Sequence, residues 1–309
     1  MAEGEQRAIL IAGPTASGKS AAALELAQRL GGLIVNADAM QVYRELKVLS
    51  ARPGPEVERL APHRLFGHVP AAQAYSAARW LADARHSLDE AWGQGRTAIV
   101  VGGTGLYFSS LEKGLSDIPD VAAEIRAKWR NALAEHGPDA LHRELAARAP
   151  DEARRLRPSD GQRIARALEV LDATGETLSV HHARPSATSA LSGADVIRLA
   201  IVPERAELYR RCDERFLRMM EQGALDEVKR LVALNLDPAL PAMRAIGVAA
   251  LARHLSGEIG LDEAVGIAQR ETRNYAKRQL TWLRHQMPQF EAVNDAAALV
   301  AWCLDLNRQ

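Results

Sequence analysis

The chain has 309 residues, 47% hydrophobic and 25% charged, with 39 lysines and arginines against 39 aspartates and glutamates. That mix belongs to a globular protein with room for one large domain or a core plus a smaller one. A formal charge of zero excludes binding polyanions by bulk charge, so nucleic acid would have to be met through local basic patches. Two cysteines, Cys212 and Cys303, exclude a disulfide framework and a cysteine-rich zinc module.

The opening stretch Met1–Arg7 is short and polar and leaves no room for a signal peptide. No apolar run approaches the roughly 18 residues of a membrane span. The expectation is a cytoplasmic protein. Ala8–Ala12 reads as a buried parallel strand, Ser20–Leu30 as a helix stopped by Gly31-Gly32, and Leu33–Ala37 as a second buried strand. Arg52–Ala72, rich in proline and histidine, reads as irregular. Ala74–Trp92 has helical spacing, and Thr97–Val101 is a third strand ending in Gly102-Gly103. Alternating strands and helices predict a parallel α/β sheet. Val121–Ala173 shows helical patterns only, Ala183–Ala194 reads as a loop, and Val196–Val202 as a returning strand. Glu204–Leu234, Ala242–Leu255 and Leu261–His285 read as helices. The economical division is an α/β core of residues 1–116 and 195–309 with a helical insertion over 117–194.

Gly13-Pro14-Thr15-Ala16-Ser17-Gly18-Lys19-Ser20 matches G-x-x-x-x-G-K-[ST] between a strand and a helix. In such a loop glycines let several backbone N–H groups converge, and the helix N-terminus adds its positive end. Lys19 supplies a point charge for diphosphate oxygens, and the Ser20 hydroxyl can coordinate magnesium. A P-loop holds diphosphates generally and does not name its ligand.

Asp38 follows the second strand, at the sheet edge where open α/β sheets bind ligands. It can hold magnesium or take a proton from a nucleophile, and a turn or N-cap aspartate is the structural alternative. The third strand ends in Gly102-Gly103-Thr104, a hydroxyl where an NTPase often has an aspartate. That speaks mildly against ATP hydrolysis, while the glycines alone would equally serve tight strand–helix packing.

In order, the strings GPTASGKS, NADAMQVYR, VVGGTGLYF, QRIARALEV and TRNYAKRQLTWLR resemble the motifs of the tRNA dimethylallyltransferases (tRNA isopentenyltransferases), over residues 9 to 285. The resemblance implies a P-loop NTPase-like parallel sheet carrying an inserted all-helical tRNA-binding domain. It implies transfer of a dimethylallyl group from dimethylallyl diphosphate to the exocyclic amine of the adenosine beside the anticodon in tRNA, with Mg2+ as cofactor and the protein a monomer. Carried over by position, Gly13 to Ser20 bind the diphosphate, Asp38 is the base and Thr104 positions the reactants. Arg126 reaches the site from the insertion. Asp38, Ala39, Met40 and Gln41 meet the flipped base. Gln162, Arg163, Ile164, Ala165 and Arg166 contact tRNA, and Arg244 matches a further segment that touches it. The last helix adds a stripe of Arg270, Arg273, Lys277 and Arg284, the local excess that a phosphate backbone requires.

The chain departs from the family pattern at Ala39, commonly serine, at Val48 to Pro53, where Arg52 replaces a lysine, and at Val248, usually tyrosine. The end at Gln309 lacks the Cys/His cluster of eukaryotic relatives, which suits the bacterial type. His63, His68, His181 and His182 read as structural or solvated rather than as metal ligands. The rival readings are a P-loop small-molecule kinase or NTPase and a non-catalytic RNA-binding protein.

Overall fold

The computed structural model describes residues 6–184 and 188–306. Most of the polar lead-in, three residues of the expected 183–194 loop and the last three residues lie outside the described residues. The chain divides into two compact units, one of residues up to Glu112 and from Ala190 onward, the other Lys113–Ser189.

In chain order the first unit opens with β1 (Arg7–Ala12), α1 (Lys19–Leu30) and β2 (Leu33–Asn36). A short helix α2 (Pro55–Glu58) and a two-residue strand β3 (His63–Arg64) follow, then α3 (Ala77–Gly93), β4 (Ala98–Gly102) and α4 (Gly105–Lys113). The 52–72 region is therefore not wholly irregular: Pro55 at the first turn starts α2, and His63 and Arg64 pair with Ile34 and Val35 as an edge strand.

The second unit is helical: α5 (Ala123–Arg148), α6 (Pro150–Arg155), α7 (Gly161–Thr174) and α8 (Leu178–Ala183). α5 kinks at Gly137-Pro138, where Gly137 leaves helical geometry. Trp129, Leu141, Leu145, Ile164 and Leu168 form this unit's own core. The Asp172 carboxylate accepts from the Trp129 indole at 2.8 Å and from Lys128 at 2.8 Å.

The chain returns through β5 (Asp195–Ile201), α9 (Arg205–Glu221), α10 (Ala224–Ala233), a 3-10 turn at Pro241–Arg244, α11 (Val248–Leu255), α12 (Leu261–Gln286), β6 (Glu291–Val293) and α13 (Ala296–Leu306). The single helix expected over 204–234 breaks at Gly223, and that over 242–255 breaks at Gly247. Both glycines sit at φ near +90°, which ends one helix and starts the next. The spacing missed α4, β6 and α13.

Six parallel strands run in the order β3-β2-β4-β1-β5-β6. β4 is buried throughout and β1 from Ala8 onward, which is why they read as unbroken apolar runs. Ala22, Ala23, Leu26 and Ala27 on one face of α1 pack with Leu299, Val300 and Cys303 of α13 against Ile9, Ile11 and Ile99. The carboxyl ends of β2, β4 and β1 thus lie side by side, and everything predicted for the first unit's site hangs from those three ends.

Candidate active site

The turn after β1 carries the residues expected to form a phosphate loop. Gly18 takes φ 93° as the N-cap of α1, a conformation that costs glycine nothing, and Ser17 N–H closes a turn on the Pro14 carbonyl at 3.3 Å. Lys19 Nζ donates to the Pro14 carbonyl at 3.1 Å, which holds its ammonium over the loop. Gly18, Lys19 and Ser20 line an open basin whose far wall is Arg211, Arg215 and Arg218. These arginines are four and three residues apart on α9 and so share one face. Arg215 reaches into the loop and donates to the Thr15 hydroxyl. This cationic face is a site feature that the expected 204–234 helix did not include, although the 4-3 spacing of Arg211, Arg215 and Arg218 is the signal for it.

The turn after β2 is built on Asn36, which is fully buried. Its side chain accepts from Asp38 N at 2.9 Å and donates to the carbonyls of Asp38 and Leu65 at 3.0 Å each, while Trp80 donates to its carbonyl at 2.8 Å. Asp38 then closes an Asx turn, Oδ1 accepting from Met40 N at 2.9 Å. Asp38 lines the phosphate basin and an adjoining cleft, so its carboxylate faces both.

The turn after β4 carries Thr104. Its N–H donates to the Ala37 carbonyl at 3.1 Å and its hydroxyl accepts from Ala39 N at 2.9 Å. The same hydroxyl also shares a hydrogen bond with the Tyr275 phenol. The contact from position 39 to Thr104 runs through backbone, so alanine in place of the family's serine does not disturb it. Gln41 lines the same basin, and its Nε2 donates to the carbonyl of Ser50 at 2.9 Å.

Gln279 of α12 ties the phosphate loop to the β4 turn. Its Oε1 accepts from Thr15 N at 2.8 Å and its Nε2 donates to the Gly103 carbonyl at 2.9 Å. A Cβ on residue 103 would stand 2.1 Å from that Nε2, so the close approach requires glycine. Gln279→Met keeps the volume and removes both bonds, leaving a buried N–H and carbonyl unpaired. The expected outcome is roughly tenfold weaker binding of inorganic diphosphate, measured by calorimetry, with tRNA affinity unchanged.

Beside the basin lies a cleft with Thr15, Asp38 and Arg215 at its polar side and Leu49, Phe216 and Met219 among its apolar lining. Burial lowers Lys19 to about 8; Asp38 opposes that shift and Arg215 adds to it. Burial also lowers Arg215 and raises the phenols of Tyr107 and Tyr275, with Asp38 pushing both further up, so both tyrosines stay neutral hydrogen-bonding groups. The Cys212 thiol is raised by burial and stays a thiol.

The first unit thus brings Gly13 through Ser20, Asp38 to Gln41 and Thr104 to one edge. Arg126 belongs to the helical unit, where it faces Asp120 at 3.6 Å. On α7, Gln162 and Arg163 are exposed and Arg166 half-buried beside Glu169. Ile164 and Ala165 point into that unit's core, 0% and 6% exposed, so the expectation that all five contact tRNA gives way at these two. Arg244 is exposed on its 3-10 turn. Arg270, Lys277 and Arg284 line the exposed side of α12, whereas Arg273 leaves the expected stripe for Asp213 at 2.5 Å. His181 is buried against Thr174, and His63 is held by the Ala61 carbonyl, consistent with structural roles. Among the described residues, no helix is long and apolar enough to cross a membrane.

The family model described as IPP transferase matches residues 41–286, and that described as isopentenyl transferase matches residues 6–66. The chain is 54% identical over 294 residues to a tRNA dimethylallyltransferase of Bradyrhizobium sp. (strain ORS 278), covering 95% of each chain. It is 56% identical over 283 residues to that of Beijerinckia indica, covering 92% and 93%. Among solved structures it resembles a tRNA isopentenylpyrophosphate transferase of Staphylococcus epidermidis (TM-score 0.69, 28% identity, 99% and 100% covered). It also resembles a eukaryotic dimethylallyltransferase caught acting on tRNA (TM-score 0.78, 26% identity, 94% and 74% covered).

Proposed function

Since the chain belongs to the tRNA dimethylallyltransferase family, we propose that the edge formed by β1, β2 and β4 is where it transfers a prenyl group from dimethylallyl diphosphate to a tRNA adenosine. The protein is a prenyltransferase that modifies tRNA. The observation that carries the reading of its site is the meeting of the Lys19 phosphate loop, the Asp38 carboxylate and the Thr104 hydroxyl beside an apolar cleft.

In this reading the diphosphate lies on the loop N–H groups between Lys19 and Arg215, and the allylic carbon points toward the cleft. The adenine N6 attacks that carbon, the C–O bond to the diphosphate breaks, and the proton of the amine passes to Asp38. An allylic carbon tolerates positive character, so holding the departing negative charge is much of the task. Thr104, braced by Ala39 N–H, orients the reactants from the β4 side.

Magnesium fits the donor set. Ser20 is exposed in the basin and Asp38 faces it, while the described residues hold no cluster of three or more His, Cys, Asp or Glu. Mg2+ keeps few protein ligands and takes the rest from phosphates and water. Ser20 and the diphosphate would hold the ion, which would neutralise charge on the leaving group.

Incubation of the protein with unmodified tRNA and dimethylallyl diphosphate, followed by mass analysis of the nucleosides, tests the whole reading. The expected product is prenylated adenosine at the position beside the anticodon; ATP turnover without it would favour the kinase alternative. Arg163, exposed at the start of α7, is proposed as a tRNA phosphate contact. Arg163→Ala is expected to weaken tRNA binding uniformly across sequences and to lower the slope of log affinity against log salt by about 1. Identical slopes in a filter-binding salt series would remove it from the interface.

A further inference from the structure

Glu227 stands in the first turn of α10 with 4% of its surface exposed. Its carboxylate is held by three consecutive backbone donors. Oε2 accepts from the N–H groups of Lys47 at 2.8 Å and Val48 at 2.7 Å, and Oε1 from that of Leu49 at 2.9 Å. These residues begin a tight strap. Ala51 N–H returns to the Val48 carbonyl at 2.9 Å, Arg52 N–H to that of Lys47 at 3.0 Å, and the Ser50 hydroxyl to that of Leu46 at 2.6 Å. Gln41 ties the strap from the other side through the Ser50 carbonyl. Leu49 faces the apolar cleft, Ala51 the phosphate basin, and Ser50 lines both.

A buried carboxylate is a costly way to secure a loop, since apolar packing would do so without desolvating a charge. What the charge adds is direction. Three charge-assisted bonds fix the strap's backbone in one position, which no apolar contact does. We infer that Glu227 is a positioning residue for prenyl transfer: by clamping residues 47–49 it holds the strap against the site and keeps water from the allylic carbon. The inference rests on the site reading above. With the strap loose, water replaces adenine as the nucleophile. Its oxygen bonds the allylic carbon, the bond to the diphosphate breaks, the released proton goes to solvent, and the product is prenyl alcohol plus diphosphate.

The test compares the unaltered protein with Glu227→Gln and Glu227→Asp. Each is given dimethylallyl diphosphate and unmodified tRNA, and prenylated adenosine and prenyl alcohol are both counted. Amide exchange of the 46–51 peptide is followed in parallel. Glu227→Gln is expected to speed exchange there and to raise the ratio of alcohol to prenylated adenosine about tenfold, with Glu227→Asp between it and the parent. A residue that merely supports the fold would lower both products together, so an unchanged ratio beside faster exchange overturns the inference, and so does unchanged exchange. If the glutamine variant fails to fold, the aspartate variant decides on the same ratio. Absence of prenylated adenosine from the unaltered protein would refute the activity instead, and the exchange experiment would still judge the clamp.

Discussion

Asp38→Ala is expected to lower the rate of prenyl transfer at saturating tRNA by about 10²–10⁴-fold, the usual worth of a positioned base, while tRNA affinity stays nearly unchanged. The exocyclic amine of adenine is a poor nucleophile, and its proton must leave as the new C–N bond forms. Asp38 is placed for this by a chain of constraints. Buried Asn36 fixes the turn, the Met40 N–H fixes one carboxylate oxygen, and the neighbouring cations Lys19 and Arg215 interact with the charge. Asp38→Asn keeps the turn's hydrogen bond and the shape but cannot take a proton, so it should be nearly as slow. Single-turnover measurements with preformed enzyme–tRNA complex separate the step from binding. Normal turnover at saturation with a large loss of tRNA affinity would reassign Asp38 to recognition.

The second large effect is at the leaving-group side. Lys19→Ala removes the ammonium from the phosphate loop, and the rate is expected to fall about 10²–10³-fold, the cost of losing one preorganised donor at a developing charge. The same group sets an alkaline limit. Burial lowers Lys19 to about 8, so in the free enzyme the ammonium is lost as pH rises through that value, and kcat/KM for the prenyl diphosphate should fall with it. Bound diphosphate favours the ammonium and carries the limit upward, so kcat stays flat to higher pH. Between about pH 8 and the ordinary lysine value of 10.5 the unfolded chain binds the proton that the folded chain has released, so this group makes the fold more stable as pH rises across that window. A decline of kcat/KM above pH 8 is therefore not unfolding on Lys19's account. Lys19→Arg, whose charge persists, should abolish the decline, and a pH profile that kept it would move the limiting group elsewhere.

Both residues were legible in the linear chain because each belongs to a short local device. A phosphate loop is eight contiguous residues whose glycines and helix start encode their own conformation, and an aspartate two positions past a buried asparagine makes its own turn. Strands wholly buried between helices announce themselves as apolar runs, so the parallel sheet was readable as well. Where packing chooses among equivalent positions, the pattern misled. Residues 162–166 read as one contact stretch, yet helical geometry turned Ile164 and Ala165 to the core. Arg273 looked like part of a basic stripe until Asp213 on α9 claimed it.

What the order of amino acids settled for this protein, then, is the parallel sheet, the glycine-rich loop after β1, and the carboxylate and hydroxyl carried on the next two turns. The loop and each turn are specified within a dozen residues. The tertiary fold alone decided which distant groups complete the edge: the Arg215 face of α9 over Thr15, Gln279 spanning 264 positions to the same loop, and Glu227 reaching back 178 to 180 positions to the strap. A side chain on a helix reads the same from the sequence whichever neighbour it meets. Only close packing brings α9, α10 and α12 against the segments that carry these partners.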